Sequence, residues 1–372
     1  MKYAFLLLFS LFGVCQGVAQ PSIEWQRSFG GTEYEEAKSI QQTTDGGYIV
    51  AGYSRSTDLD ITDNHGGYDC WVLKLSPLGE PEWKKSYGGT NNEWANAVKQ
   101  TTDGGYIMAG FSQSNNGDVS GNHGGPDFWV VKLNQIGAIQ WQKSLGGSEA
   151  DEARDIQQTR DGGYIVVGLA YSSDGDLTSN QGSTDYWVVK LDSIGEISWQ
   201  KSFGGSFIDD ANAVKQTPDG GYIIVGQSGS NDGDVSGLNG GTDVWVVKLN
   251  YEGTLEWQRM LGGTGLDRAH DVGLTDDGGY ILTGNAGWGD GDISQHNGGS
   301  DLWVVKLDFL GKILWEKSLG GSKEDFAVSV QQTSDGGFIA AGSTESTDGD
   351  VSNNDGGVDM WVVKLDKVGD LQ

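Results

Sequence analysis

The tripeptide Asp-Gly-Gly begins at Asp45, Asp103, Asp161, Asp219, Asp277 and Asp335, and every interval is 58 residues. The same spacing separates Trp71, Trp129, Trp187, Trp245, Trp303 and Trp361, and again Trp25, Trp83, Trp141, Trp199, Trp257 and Trp315. Twelve of the 14 tryptophans are therefore repeat residues, and six periods run from Trp25 to Gln372 without insertion or deletion. A fixed period of this length marks one supersecondary unit that cannot bury its apolar face alone and must stack on its neighbours.

Each period reads as four short strands. In the first, residues 37–43 and 48–54 flank Thr44-Asp45-Gly46-Gly47, a tight hairpin signal in which glycine permits positive φ. Residues 69–75 and 81–86 flank a second turn at Gly79, repeated at Gly137, Gly195, Gly253, Gly311 and Gly369. Trp71, Leu73 and Leu75 alternate with Val72 and Lys74, the period of a strand with two distinct faces. No 3.6-residue period is sustained past the N-terminus, so the expected fold is all-β: a six-bladed β-propeller of four-stranded blades. A β-solenoid competes, but 58 residues is long for one coil. Residues 23–29 match the fourth strand of the other units and are expected to complete the last blade, which ends before its own fourth-strand tryptophan.

Composition narrows the partners. Among 372 residues, 52 acids against 24 bases give a net charge of −28, which argues against a nucleic-acid partner. Hydrophobic residues at 36% suffice for a core and argue against disorder. Residues 1–19 read as a signal peptide: Lys2, the apolar run from Ala4 to Val14, and the small residues around Ala19 precede a mature domain over residues 20–372. That run is too short to span a membrane. A lipid anchor on Cys15 is the weaker alternative, since Val14 is bulky where such anchors place a small residue. Cys70 is then the one mature cysteine; it stands where other repeats carry Phe128, Tyr186, Val244, Leu302 and Met360, and is expected to be a buried apolar residue.

The pattern DGGYI(V)AG…DxWVVKLD…G…W resembles a family of secreted bacterial β-propeller repeat proteins, over residues 25–372. The resemblance implies a propeller at the cell surface or outside it, often as cargo of type IX secretion, and for some relatives an endoglucanase activity. Thr43-x-Asp45-x-Gly47 is also similar to the Asp-box of sialidase-like propellers, but lacks its trailing tryptophan, so only turn geometry is implied.

In a propeller, the loop entering a blade and the loop between its second and third strands share one rim. Both are acidic here, with Glu35, Glu93, Asp151, Asp209, Asp267 and Asp325 in the first, and in the second Asp60 and Asp69 with their repeats. Carboxylates this dense suggest calcium. Asp58-x-Asp60-x-Thr62-x-Asn64 closing with Asp69 spaces oxygens at alternate positions, and Asp348, Asp350, Ser352, Asn354 and Asp359 repeat the spacing. It departs from an EF-hand loop in lacking a sixth-position glycine and flanking helices; the competing reading is turn chemistry, with Asp69 capping a strand start. Calcium would be structural rather than catalytic.

Catalysis would require broken symmetry, because an active site uses different residues from different blades. The unique rim residues are Trp94, Trp288, Tyr34, Tyr171 and Phe326, joined by Lys38, Arg154, Arg268 and His270. Exposed aromatics on a polar rim suit sugar stacking or a protein contact; packing on a neighbouring loop is the plainer alternative. No nucleophile elbow, phosphate loop or dinucleotide fingerprint occurs, and the four histidines suggest no metal triad. The expectation is a monomeric, exported, non-enzymatic propeller that binds a glycan or an extracellular protein. A carbohydrate-active hydrolase using rim carboxylates is the second reading, and a calcium-stabilised scaffold the third.

Overall fold

Each Asp-Gly-Gly turn is pinned from two sides. The Asp45 carboxylate accepts from Thr43 Oγ1 at 2.5 Å and Gly47 N–H at 2.9 Å, while Gly46 takes φ 83°, a conformation that disfavours any side chain. From the third strand, Lys74 Nζ reaches Asp45 at 2.9 Å and donates to the Leu75 carbonyl at 3.0 Å. The lysine is buried. The arrangement recurs at Lys132–Asp103, Lys190–Asp161, Lys248–Asp219, Lys306–Asp277 and Lys364–Asp335, all at 2.9–3.0 Å. A charge inside a strand that is apolar on both faces is tolerated because its amine emerges at the strand end onto a carboxylate and a carbonyl.

The computed structural model describes residues 23–372 except Asn353 and Asp355; the expected signal peptide lies outside these. Blade one comprises β1 (Glu35–Gln42), β2 (Tyr48–Ser54), β3 (Asp69–Leu75) and β4 (Pro81–Tyr87), antiparallel and in sequence order. Four further sheets repeat this order, and a sixth is built from Asp325–Gln332, Phe338–Thr344 and Asp359–Leu365. The protein is thus an all-β, six-bladed propeller, and no helix long and apolar enough to cross a membrane occurs among the described residues.

The first strands of successive blades stand side by side around the axis and are cross-linked there. Asp155 accepts from Val214 N–H at 3.1 Å, Asp271 from Val330 N–H at 3.0 Å, and Asn96 donates to the Ala153 carbonyl at 2.8 Å. Outward from the axis, aromatic rings fill the spaces between sheets: Phe128 lies on Trp187 and Tyr186 on Trp245, both with centroids 4.6 Å apart. The fourth-strand tryptophans close the outer edge. Trp83 covers Gly137, where any side chain would collide with its ring, and donates Nε1–H to the Gln135 carbonyl at 3.1 Å. Cys70 is buried, as expected of an apolar position.

Five seams between blades share one further bond, in which the first residue of the incoming blade donates N–H to the blade before it. The donors are Glu93, Asp151, Asp209, Asp267 and Asp325, the acceptors the carbonyls of Tyr68, Pro126, Thr184, Thr242 and Ser300. Between blades six and one no such bond is found among the described residues. The closure expected of residues 23–29 is therefore not formed among the described residues: the segment packs on blade one and does not complete the last blade. Trp25 takes the place against Gly79 that Trp83 takes against Gly137, and its Nε1–H bonds Pro77 as Trp83 bonds Gln135. The segment forms no strand, however, and the sixth sheet has three. Residues buried at the other seams stay exposed here: Ile40 is 63% and Met360 85% accessible, whereas Val98 and Phe128 are at 0%.

Two measurements probe the turn. Lys190→Met should lower unfolding stability by about 1–3 kcal/mol by stranding the hydrogen bonds the amine makes at the strand end; an unchanged denaturation midpoint would contradict the anchoring role. The bonds from Thr43, then Lys74 and Gly47, hold the Asp45 carboxyl at about 2, below its unfolded value near ~3.9. Its contribution is therefore complete above about pH 4 and lost as pH falls through about 2. The melting temperature should drop across that window in wild type, and less steeply in Asp45→Asn.

Candidate functional site

Most acids of the rim are occupied by the backbone. The loop joining blades one and two, Gly88-Gly89-Thr90-Asn91, points its N–H groups at side chains: Gly88 at Asp118 (3.3 Å), Gly89 at Glu93 (2.7 Å), Thr90 at Asn116 (3.0 Å) and Asn91 at Ser114 (2.9 Å). The corresponding loops repeat this, so the acids form rings of anchors for glycine-rich backbone rather than an open negative surface. Glu93, Asp151, Asp209, Asp267 and Asp325 are fully buried.

The residues expected to bind metal share this use. Asp58 accepts from Thr32 N–H and Oγ1, both at 2.9 Å, and Asp60 from Gly30 N–H at 3.2 Å and from Lys84. Asp69 is buried, with one carboxylate oxygen taken by His65 N–H (2.8 Å) and Nδ1 (2.7 Å). In blade six, Asp348 accepts from Ser322 N–H at 2.8 Å and Asp350 from Gly320 N–H at 3.2 Å, while Asp359 is exposed at the open edge. The alternate spacing does not converge these groups: among the described residues no set of three acidic, histidine or cysteine side chains meets at one point.

Departures from the repeat gather where each first strand enters the axis. The second residue of that strand is Glu36, Trp94, Glu152, Asp210, Arg268 or Phe326 in successive blades, and the fourth is Lys38, Asn96, Arg154, Asn212, His270 or Val328. Chemistry changes blade by blade at these positions while the third residue is always alanine. Trp94, Arg154, His270 and Phe326 belong to this opening; Tyr34 immediately precedes β1; Tyr171 and Trp288 lie on loops after second strands.

Tyr34 and Trp94 are brought into one cluster. Tyr34 stacks on Tyr53 at 6.1 Å, Tyr53 on Trp94 at 4.4 Å and 13°, and Trp94 leans on Phe111 at 5.3 Å, with Tyr68 edge-on to three of the rings. Tyr34 is the exposed end of this stack. Lys38 and Arg55 lie over the Tyr53 and Tyr68 faces at 5.7 and 5.9 Å. Glu36 accepts from Lys38, Tyr53 and Tyr34. Burial alone would raise its pKa; those three donors outweigh burial and hold Glu36 at about 2. The same carboxylate raises the Tyr34 phenol.

Trp288 and Phe326 meet elsewhere, in a cleft of about 440 Å³ shared with Leu266 and Arg268. Trp288 is exposed and tilted over His296 at 6.2 Å. Tyr171 joins neither cluster. Arg154 pairs with Glu152 at 3.0 Å, and His270 lies 3.3 Å from Asn285, its burial lowering its pKa. Tyr53, Tyr68, Phe111 and Arg55 were not marked by their uniqueness. The hairpin register carried a signal for the first, since Tyr53 stands opposite Glu36 and Phe111 opposite Trp94.

No family model and no curated protein sequence matches the chain. Among solved structures it is similar to a protein of unknown function from Bacteroides caccae, at 12% identity and TM-score 0.46, covering 86% of this chain and 91% of that one. It is similar also to the α-L-arabinanase of Penicillium chrysogenum complexed with arabinobiose, at 10% identity and TM-score 0.48, covering 83% and 88%. A third is BamB from Moraxella catarrhalis, at 13% identity and TM-score 0.42, covering 90% and 75%. At these distances the likeness gives no guidance on activity.

Replacing Glu36 by Gln removes the charge that raises Tyr34. In a spectrophotometric alkaline titration, tyrosine ionisation should begin at lower pH in Glu36→Gln than in wild type. Superimposable curves would refute the described network.

Proposed function

We propose that the chain is an exported or cell-surface propeller whose axial opening serves as a binding face, with a glycan as the ligand class. The stack Tyr34–Tyr53–Trp94 carries this reading. It offers an exposed aromatic face rimmed by Glu36, Lys38 and Arg55, the combination that pairs with the apolar face and hydroxyl groups of a sugar. Pre-organisation supports it as well, since three donors fix Glu36 and three rings fix Tyr53, so little conformational entropy remains to be lost on binding. Export rests on residues 1–19 and on the family resemblance.

The hydrolase reading meets a specific obstacle at this cluster. Glycoside cleavage needs one carboxyl that stays protonated to act as general acid, and Glu36 is held at about 2, as a carboxylate. Glu36 would suit hydrogen bonding to ligand hydroxyls.

A panel of soluble polysaccharides tested by affinity electrophoresis and for released reducing ends separates the two. Binding without turnover, weakened at least tenfold in Tyr34→Ala, is expected. New reducing ends abolished by one carboxylate substitution would establish the hydrolase instead. Binding to no glycan, with capture of a surface protein through the same residues, would transfer the role to a protein partner.

A further inference from the structure

At every formed seam, two buried carboxylates from adjoining blades face one another across the first glycine of the connecting loop. The pairs are Asp69 with Glu93, Asp127 with Asp151, Asp185 with Asp209, Asp243 with Asp267, and Asp301 with Asp325, and all ten residues are fully buried. In each pair the second carboxylate anchors the loop; Glu93, for example, accepts from Gly89 N–H, Ser112 Oγ and Ser114 N–H. The first keeps one oxygen bare. Oδ1 of Asp69, Asp127, Asp185, Asp243 and Asp301 is buried with no hydrogen-bond donor.

At four seams the bare oxygen and its partner approach the same glycine. A methyl group built on Gly88 would lie 2.9 Å from Asp69 Oδ1 and 2.6 Å from Glu93 Oε2. On Gly146 the distances are 2.9 Å to Asp127 Oδ1 and 2.8 Å to Asp151 Oδ2; on Gly204 they are 2.5 Å to Asp185 Oδ1 and 2.7 Å to Asp209 Oδ2; on Gly320 they are 2.8 Å to Asp301 Oδ1 and 2.5 Å to Asp325 Oδ2. At these four seams both carboxylate oxygens border one point, beside a backbone position kept free of side chain; at the fifth, the same construction on Gly262 meets Asp267 Oδ2 at 2.3 Å. A buried anionic oxygen lacking any donor costs several kcal/mol. That one site should carry such a cost is unremarkable in a large fold; that five seams repeat it at the same atom requires a common cause.

We propose that each formed seam holds one small hard cation between its paired carboxylates, calcium being the ion whose charge matches, with backbone carbonyls and water completing its shell. The sites share only Asp69 and its repeats with the alternately spaced loop carboxylates: each draws one ligand from either blade, so the ion would tie neighbouring sheets together. They number five, because at the sixth junction Asp359 is exposed and the inter-blade backbone bond is missing among the described residues. The same pairing lifts the carboxyl groups, with Asp69, Asp127 and Asp243 pushed up to about 6, by burial first and with a contribution from the facing acid. A proton shared within each pair is thus the competing occupant.

The test is calcium titration of the full chain after dialysis against chelator, followed by calorimetry and melting at pH 7.5. Saturable binding of about five ions per chain with a melting-temperature rise is expected. Asp127→Asn should reduce the count by one, and Asp174→Asn, at the exposed loop position, should leave it unchanged. A melt that responds to pH but not to calcium would assign the pairs to shared protons and overturn the proposal. An equal response to sodium chloride at matched ionic strength would do so too, as screening, and so would a count lowered by Asp174→Asn but not by Asp127→Asn.

Discussion

The fold depends on a single kind of contact: backbone N–H groups of glycine-rich loops received by side-chain oxygens, carboxylates foremost. Where one blade hands over to the next, a Gly-Gly pair turns too tightly to satisfy its own amides, and buried polar groups must be paired. Asp118, Glu93, Asn116 and Ser114 supply the acceptors at the first seam. Glycine is needed for close approach, an acid for its spare lone pairs, and together they account for much of the chain's unusual glycine content and of its acidity. The cost of placing so many anions together is met by the amides that surround them and, at the opposite end of each sheet, by the buried lysine row.

This arrangement separates what is fixed from what is free. Alanine at the third position of each first strand and tryptophan at the outer edge recur because they fill space shared with the neighbouring blade. Around the axial opening the second and fourth positions face no such constraint, and there Glu36, Trp94, Arg268 and Phe326 replace one another freely. A scaffold of equivalent sheets thereby carries a face on which no two sectors are alike.

Closure is the point at which equivalence ends. Trp25 shows that residues 23–29 hold the fourth-strand place against blade one, yet the ladder to the last sheet is absent, and Ile40 and Met360 remain exposed. At the same repeat positions elsewhere, Ile156 and Phe128 are buried because a neighbouring sheet is there. Burial here is a property of position in the array, not of the residue.

The sequence by itself determined the number of blades, the strand order and the turn positions. Period, alternation and Asp-Gly-Gly are local patterns, and four antiparallel strands joined by short turns leave little choice of neighbour. It also marked Trp94 and Tyr34 as departures from the repeat. Tertiary structure alone decided that most rim acids are anchors rather than open charge, since an aspartate that receives an amide and one that faces water look alike in a string of letters. It decided too that Tyr53 joins Tyr34 and Trp94 in one stack while Tyr171 stands apart, and that paired carboxylates meet across seams. Those contacts join residues from different strands and loops, and their distances are set by how sheets pack, which no local pattern encodes.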